Sequence, residues 1–202
     1  MKQPRRRQAD RREEAAARLL DAAIDLVAER GYDGFSLAEL GEKANFSRGL
    51  PSHYFGSKAN LLGAVVGKII DDFMNLREGE GNHGATFDRL EQVLWRYIES
   101  AQAGRPHSKA LHAIVGAALI NPELRPRIQE LNDRGRAFIR AQLQLGVEAK
   151  DIAADVNIDA EAVVFLAFLR GLVVLYLVDP SLDIEAAARE FLLHLRARLT
   201  PR

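Results

Sequence analysis

Apolar residues recur every three or four positions along almost the whole chain, and this spacing limits the fold more than any other feature of the sequence. The pattern begins with Leu19, Leu20, Ala23, Ile24 and Val27 and ends with Ala188, Phe191, Leu192, Leu195 and Leu199. No stretch of useful length alternates apolar and polar residues, as a half-buried strand would. The sequence therefore predicts an all-α protein of about nine helices.

Five residues have the position and the chemistry of helix N-caps. They are Ser36, Ser47, Ser57, Asp159 and Asp183. Glu39 follows Ser36 at the spacing of a capping box. Two short helices separated by Asn45-Phe46 are thus predicted within residues 36–55. This length suits a helix-turn-helix, although many other helical proteins contain such pairs.

An ordered series of short motifs runs through residues 19–62. It consists of Ala22-Ala23, Gly31-Tyr32, Ser36-Leu37, Ala44, the Ser47-x-Gly49 turn, Phe55, and Ser57-Lys58 followed by Leu61-Leu62. In this order the series resembles the DNA-binding domain of the tetracycline-repressor (TetR) family. The resemblance implies a three-helix DNA-binding domain with a basic N-terminal arm over residues 1–56. It also implies a helical ligand-binding and dimerisation domain over residues 57–202, with a helix at 57–77 linking the two.

A set of polar and basic residues is expected to contact a double-stranded DNA operator. They are Arg5, Arg6, Arg7, Arg11, Arg12, Ser36, Asn45, Ser47, Arg48, Gly49, Ser52, His53, Tyr54 and Lys58. Residues 1–12 hold six basic residues and one acid, so the zero net charge of the whole chain does not exclude a nucleic-acid partner. A solvated basic tail is the other interpretation of this arm. Arg48 can pair bidentately with guanine, and Lys58 opens a helix whose N-terminal N–H groups suit a phosphate.

Pro51 and Ser52 depart from the family pattern, which usually has a large apolar residue followed by a tyrosine. Ser52 can still donate to a phosphate, with a shorter reach. Pro51 has no backbone N–H and restricts the residue before it, so the recognition helix is expected to start late or to be distorted. This departure keeps open a carrier or sensor of apolar molecules that does not bind an operator. An activator or a chromosome-architecture protein of the same fold is the other alternative.

The segment from Ala162 to Val178 is apolar except for Arg170. A membrane span needs about 20 apolar residues, and inserting an arginine at its centre costs about 2.5–3.5 kcal/mol. Burial against other helices is therefore the better interpretation, and no membrane partner is expected. The resemblance implies that the last two helices pair with their copies in a homodimer, whereas a monomer core that buries both is the alternative. The residues expected at the dimer interface are Val163, Leu172, Leu175, Phe191, Leu192 and Leu195.

The remaining C-terminal helices are expected to enclose a pocket for a small apolar or amphipathic effector. Candidates for its wall are Trp95, His112, Phe138, Phe165, Phe168 and Arg170, of which His112 or Arg170 would supply a polar anchor. The implied function is a repressor that an effector releases from a palindromic operator. Release requires that the effector favour a dimer whose two DNA-reading helices are wrongly spaced.

Several function classes find no support in the sequence. There is no cysteine, the five histidines lack a metal-binding spacing such as His-Glu-x-x-His, and no Gly-x-Ser-x-Gly motif occurs. We therefore expect neither an enzyme nor a cofactor nor a metal site. The first residues do not have the composition of a signal peptide, and the lack of cysteine suits a reducing compartment, so a cytoplasmic location is expected.

Overall fold

Helices account for every regular element in the part of the chain that the structure describes. The computed structural model describes residues 4–78 and 86–201, including the side chains of residues 10–72 and 87–201. The helices are α1 (Pro4–Arg30), α2 (Leu37–Lys43), α3 (Leu50–Phe55), α4 (Lys58–Glu78), α5 (Thr86–Gln102), α6 (Pro106–Ala117), α7 (Arg125–Glu148), α8 (Ile158–Val178) and α9 (Ile184–Leu199). A 3-10 turn at Pro122–Leu124 leads into α7. The prediction of an all-α fold with about nine helices is confirmed.

Local side-chain caps begin several of these helices. Ser36 Oγ accepts from the Glu39 N–H at 3.2 Å, and Glu39 Oε2 accepts from the Ser36 N–H at 2.7 Å. These two hydrogen bonds form the predicted capping box. The Ser36 hydroxyl also donates to Glu39 Oε2 at 2.8 Å, and this bond together with the one from the Ser36 N–H holds the pKa of the Glu39 carboxyl below its ordinary value. Ser57 and Asp183 each accept from the backbone N–H three residues later, at 3.1 and 2.8 Å. All three predicted caps are confirmed.

Helix α3 begins after the position that Ser47 would cap. Its first residue is Leu50, its N-cap is Gly49, and no side chain caps it. Pro51 therefore lies in the first turn, where a backbone N–H has no intrahelical acceptor, so the missing donor costs no hydrogen bond. The predicted late start is confirmed, whereas the predicted Ser47 cap is wrong.

Helices α1 to α4 and residues 106–128 form one compact unit. Helix α1 packs against α2 and α6. Fully buried side chains in this unit include Leu19, Ala23, Ile24, Leu40, Leu61 and Leu62. Tyr32 Oη donates to Glu123 Oε1 at 3.0 Å. Lys68 Nζ lies 3.4 Å from Asp21 Oδ1 and 3.0 Å from Asp72 Oδ2. An apolar interior with polar contacts at its rim thus holds the N-terminal helices together.

Helix α2 lies very close to the turn that precedes α3. A Cβ atom on Gly41 would lie 2.5 Å from the Ser47 carbonyl oxygen and 3.2 Å from the Arg48 Cα. The turn is also fixed by a hydrogen bond from the Phe46 N–H to the Gly41 carbonyl at 2.8 Å, and Asn45 takes a positive φ of 59°. Any side chain at position 41 would push the turn away from α2.

Helices α5, α8 and α9 form the second compact unit together with residues 129–148 of α7. Each of α5, α8 and α9 packs against the other two. Buried side chains here include Leu90, Leu94, Ile98, Phe165, Val173, Ala188 and Leu199. Helix α8 begins after Asn157, whose side chain accepts from the Ala160 N–H at 3.1 Å. The predicted Asp159 cap is therefore wrong, and Asp159 pairs instead with Arg140 at 3.1 Å.

The two compact units do not follow the order of the chain. Residues 57–77 and 106–128 group with the N-terminal helices, whereas residues 86–105 and 129–201 group together. These groups describe packing within the chain and do not test which part performs which function. The division into functional domains after residue 56, which the resemblance implied, stays a prediction.

Gly41→Ala is expected to destabilise the protein by about 1–3 kcal/mol, because the added methyl group overpacks a contact with backbone atoms. The measurement is urea-induced unfolding followed by circular dichroism. Gly67→Ala is the matched control: nothing lies within 4 Å of its Cβ position in α4, so it should stabilise the protein by about 0.5–1 kcal/mol. An unfolding free energy unchanged in Gly41→Ala would contradict the close contact between α2 and the turn.

Candidate nucleic-acid interface and ligand groove

Half of the fourteen predicted DNA contacts are exposed residues on or near the outer face of α3 and its preceding turn. Ser36, Asn45, Ser47, Arg48, Gly49, Ser52 and His53 are all exposed. On the opposite side of α3, Pro51 is buried. The short helix thus has one face in the protein interior and one face that presents a guanidinium, a hydroxyl and an imidazole to solvent.

Arg48 extends into solvent from this surface, with 73% of its side chain exposed. Its Nε lies 3.2 Å from Glu42 Oε1, and that carboxylate is itself more than half exposed. An ion pair between two exposed groups contributes little free energy, typically about 0–1 kcal/mol. The guanidinium can therefore exchange Glu42 for another anion or a base edge at small cost.

The predicted basic arm is helical where the structure describes it. Helix α1 begins at Pro4 and continues without a break to Arg30, so these residues extend α1 rather than form an extended arm before it. Arg11 and Arg12 are exposed on this helix. The side chains of Arg5, Arg6 and Arg7 lie outside the described part of the structure, so their contact with DNA stays a prediction.

The sequence analysis expected Tyr54 to point outward from α3, but its side chain does not. Its side chain is half-buried, and its Oη donates to the Arg12 carbonyl oxygen at 3.4 Å. The Arg12 guanidinium carbon lies 5.7 Å from the centre of the Tyr54 ring, within range of a cation–π contact. Tyr54 therefore connects α3 to α1.

Lys58 is turned towards its own protein, and this orientation does not support the predicted contact with a phosphate, which stays a prediction. Its Nζ donates to the Phe35 carbonyl oxygen at 2.5 Å. The same ammonium lies 4.4 Å from the centre of the Phe35 ring and 5.2 Å from that of Tyr32. Burial among these groups lowers the pKa of Lys58. The position of Lys58 at the start of α4 was predicted correctly. Its ammonium group, however, is bound by the nearby carbonyl and aromatic rings.

A groove of about 520 Å³ lies between α7 and α8. Its lining residues are Gln129, Asn132, Asp133 and Arg136 from α7 and Val163, Leu166, Ala167 and Arg170 from α8. Both sets follow the i, i+3, i+4, i+7 spacing of a single helix face. Among them the sequence analysis named Arg170 as a pocket residue and assigned Val163 to the dimer interface. It missed the polar stripe on α7, although this spacing is visible in the sequence.

The predicted phenylalanines of α8 belong to the packing between α8 and α9 and do not line the groove. Phe165 is 1% exposed. Phe168 stacks on Phe191 with ring centres 3.7 Å apart, and Phe165 lies 5.7 Å from the same ring. The prediction that Phe165 and Phe168 form the pocket wall is wrong for the groove that the structure contains.

The other predicted pocket residues are also absent from the lining of the groove. Trp95 Nε1 donates to Glu91 Oε1 at 3.1 Å on its own helix. His112 belongs to the first compact unit, where its Nδ1 lies 2.7 Å from the Ser108 carbonyl oxygen. Phe138 is half-buried on α7. The structure therefore does not bring the six predicted residues together.

Three of the predicted dimer contacts are used within the single chain. Leu172, Leu192 and Leu195 are at most 6% exposed, so they cannot form an interface and this part of the prediction is wrong. Phe191 is half-buried in its stack with Phe168. Among the predicted contacts, Val163 is 47% and Leu175 is 60% exposed. Further exposed apolar residues of α8 and α9 that the sequence analysis missed are Val164, Val174, Val178 and Leu193.

The burial of α8 explains why the sequence reasoning mixed buried residues with exposed ones on this helix. The helix is long and apolar enough to cross a membrane by length and composition, and 28% of its most apolar window is buried. Because apolar residues surround it on all sides, their spacing does not indicate which face turns to the core. A distinct polar face would have resolved the orientation.

Both halves of the chain match known families of bacterial regulators. The family model for bacterial regulatory proteins of the tetR family matches residues 19–65, which include α2 and α3. The model for the C-terminal part of BetI-type transcriptional repressors matches residues 87–200, more than half of the chain. The first match covers almost the same residues as the motif series found in the sequence.

Individual relatives agree with these matches. The chain is 33% identical over 125 residues to the HTH-type transcriptional regulator BetI of Burkholderia thailandensis. This alignment covers 61% of this chain and 64% of that protein, which is slightly less than two thirds of its length. It is 32% identical over 180 residues to the HTH-type transcriptional regulator CymR of Pseudomonas putida, covering 86% of this chain and 85% of that protein.

A solved structure shows the same fold. A TetR transcriptional regulator from Chloroflexus aurantiacus superposes with a TM-score of 0.77 and 22% identity, over 93% of this chain and 96% of that one. The likeness in fold therefore agrees with the two family models and with the CymR relative. The chain belongs to the TetR family of bacterial regulatory proteins.

Proposed function

We propose that this protein is a transcriptional repressor that binds a palindromic DNA operator as a homodimer and leaves it when a small amphipathic effector binds. The observation that carries the proposal is the exposed face of α3, with Arg48, Ser52 and His53, beside a turn packed tightly on Gly41. The major groove of DNA admits an α-helix, and these side chains can donate to base edges or phosphates.

The position of Pro51 favours DNA binding over a carrier without operator binding. The proline lies in the first turn of α3, and the hydrogen bonds that follow it are intact. The His53 N–H donates to the Gly49 carbonyl at 3.1 Å, and the Gly56 N–H donates to the Ser52 carbonyl at 2.9 Å. The sequence feature that had supported a carrier thus leaves the DNA-facing helix regular.

The exposed apolar face of α8 and α9 supports a homodimer. This face contains Val164, Val174, Leu175, Val178 and Leu193, which are 41–82% exposed. A contiguous apolar surface in water favours burial against a partner, and a second copy of the chain can bury it by two-fold symmetry. The mid-helix Arg170 argues against a lipid environment for α8, so we place the dimer in the cytoplasm.

The groove between α7 and α8 is the candidate effector site. Its volume of about 520 Å³ falls within the range of roughly 300–1,000 Å³ that is common for ligand pockets. An effector that binds better to one spacing of the two α3 helices than to the other would shift the dimer away from the operator. The proposed function therefore needs a difference in affinity between two states of the dimer.

Arg48→Ala is expected to weaken operator binding by about 1–3 kcal/mol and to relax base choice at one position in each half-site. The measurement is a gel shift on a palindrome upstream of the protein's own gene and on a scrambled duplex, at several salt concentrations. Glu42→Ala is the control, because it removes only the carboxylate beside Arg48 and should leave base choice unchanged.

Two results of this experiment would count against the proposal. Equal losses of affinity on the palindrome and on the scrambled duplex would mean that Arg48 contacts only phosphate. The absence of a salt-dependent shift on every palindrome tested would contradict operator binding itself, since phosphate contacts make the affinity fall with salt.

Lys58→Met is expected to reduce stability by about 1 kcal/mol, because it removes the hydrogen bond to the Phe35 carbonyl while it keeps the alkyl chain. The salt dependence of DNA binding should stay unchanged, whereas a lost phosphate contact would lower its slope by about one. Urea unfolding and salt-dependent gel shifts measure the two effects. Lys43→Met, which removes an exposed pair with Glu29, is the control. A lower slope with unchanged stability would restore the phosphate role that the sequence predicted.

Leu175→Arg is expected to convert the dimer into a monomer of 22.4 kDa, because it places a charge within the proposed interface. Analytical ultracentrifugation gives the mass, and operator affinity should fall roughly ten-fold or more as half of the contacts are lost. Leu145→Arg changes a leucine on α7 that is 52% exposed, against 60% for Leu175, and this variant should remain dimeric. A Leu175→Arg protein that stays dimeric would exclude this face as the interface.

A further inference from the structure

Arg170 is a largely buried cation in the middle of the apolar helix α8. Its guanidinium donates to Asn132 Oδ1 on α7. Burial lowers the pKa of Arg170, but an arginine side chain keeps its charge at neutral pH. Among residues 10–72 and 87–201, no carboxylate forms a salt bridge with it. Buried charges in proteins are normally paired with an opposite charge, and the guanidinium of Arg170 has no such partner.

The groups that surround Arg170 do not neutralise it. Asn132 is uncharged and takes up one of the guanidinium's five N–H donors. Burial raises the pKa of Tyr97 to about 12, so its phenol is neutral at physiological pH. Asp133 lies in the same groove but forms an ion pair with Arg136. The groove therefore has a net positive charge, contributed by Arg170.

The rest of the groove suits a molecule with an apolar part. Val163, Leu166 and Ala167 form the apolar wall on α8, adjacent to Arg170 on the same helix face. Gln129 and Asn132 supply amide groups on α7. A planar guanidinium matches a carboxylate in two-point hydrogen bonding, and the aliphatic wall provides a surface for a hydrocarbon tail.

We propose that the α7–α8 groove binds a small amphipathic carboxylate, with the carboxylate on Arg170 and the hydrocarbon part along Val163, Leu166 and Ala167. The inference rests on the proposed function, because it assigns the effector of the proposed repressor to this chemical class. The carboxylate provides the missing counter-charge for Arg170. A neutral ligand of the same shape would leave the buried cation unpaired and would bind more weakly.

Isothermal titration calorimetry on the full-length protein tests this directly. The probes are butanoate, octanoate and dodecanoate, each compared with its uncharged primary amide. At least one carboxylate is expected to bind about ten-fold or more tightly than its amide, the value of one charge-assisted hydrogen-bonded pair. Binding of no carboxylate, or equal binding of each acid and its amide, would overturn the proposal.

Three variants assign the preference for the acid to one residue. Arg170→Gln should abolish the preference, and Arg170→Lys should keep part of it because the charge remains without the planar fork. Arg140→Gln removes an exposed arginine of α7 that pairs with Asp159 outside the groove, and it should bind as the unmodified protein does. Circular dichroism confirms that each variant is folded. The assignment to Arg170 would be refuted by a folded Arg170→Gln protein that still prefers the acid. It would also be refuted by an Arg170→Lys protein that binds octanamide but shows no preference for the acid.

A separate measurement distinguishes this inference from the proposed function. Fluorescence anisotropy with the labelled palindrome reports operator binding with and without the tightest carboxylate. Arg170-dependent binding of the acid without release of DNA would support the site and contradict its role as the effector site. Operator binding without any preference for acids would leave the DNA-binding proposal intact and overturn the carboxylate inference.

Discussion

The contact between Gly41 of α2 and the turn before α3 is the constraint on which the candidate DNA-binding surface depends. Helix α3 has six residues, and an isolated helix of this length is unstable in water. Its position therefore comes from the packing of its neighbours: the turn lies against Gly41, Pro51 is buried, and Tyr54 is held by α1. With its inner face fixed in this way, the outer face is free to carry Arg48, Ser52 and His53.

Each side of helix α8 contacts a different part of the molecule or the solvent. One side supplies core residues such as Phe165 and Val173, another carries Arg170 and the apolar wall of the groove, and a third leaves Leu175 exposed. A single helix that joins the core, the proposed ligand groove and the proposed dimer face can pass a change at one of them to the others. This arrangement gives the proposed repressor a physical route from effector to dimer geometry.

Local chemistry explains which sequence predictions were confirmed. The capping box of Ser36 and Glu39 joins residues three apart, and the late start of α3 follows from the missing N–H of Pro51. The wrong predictions of the Ser47 and Asp159 caps are local too, since Gly49 and Asn157 are the N-caps instead, whereas the other misplaced residues have partners far away in the chain. Lys58 was expected at a phosphate but bonds to the carbonyl of Phe35, and Leu195 was expected at a dimer interface but is buried in its own chain.

The sequence by itself determined the helical class, the helix-turn-helix and the family, because hydrophobic spacing, caps and turns act over a few neighbouring residues. Tertiary structure alone decided which face of the uniformly apolar α8 is buried, where the ammonium of Lys58 points, and that Arg170 lies in a groove with the polar stripe of α7. These outcomes depend on contacts between segments distant in sequence. Side-chain spacing along one helix contains no information about which neighbouring helix will cover it.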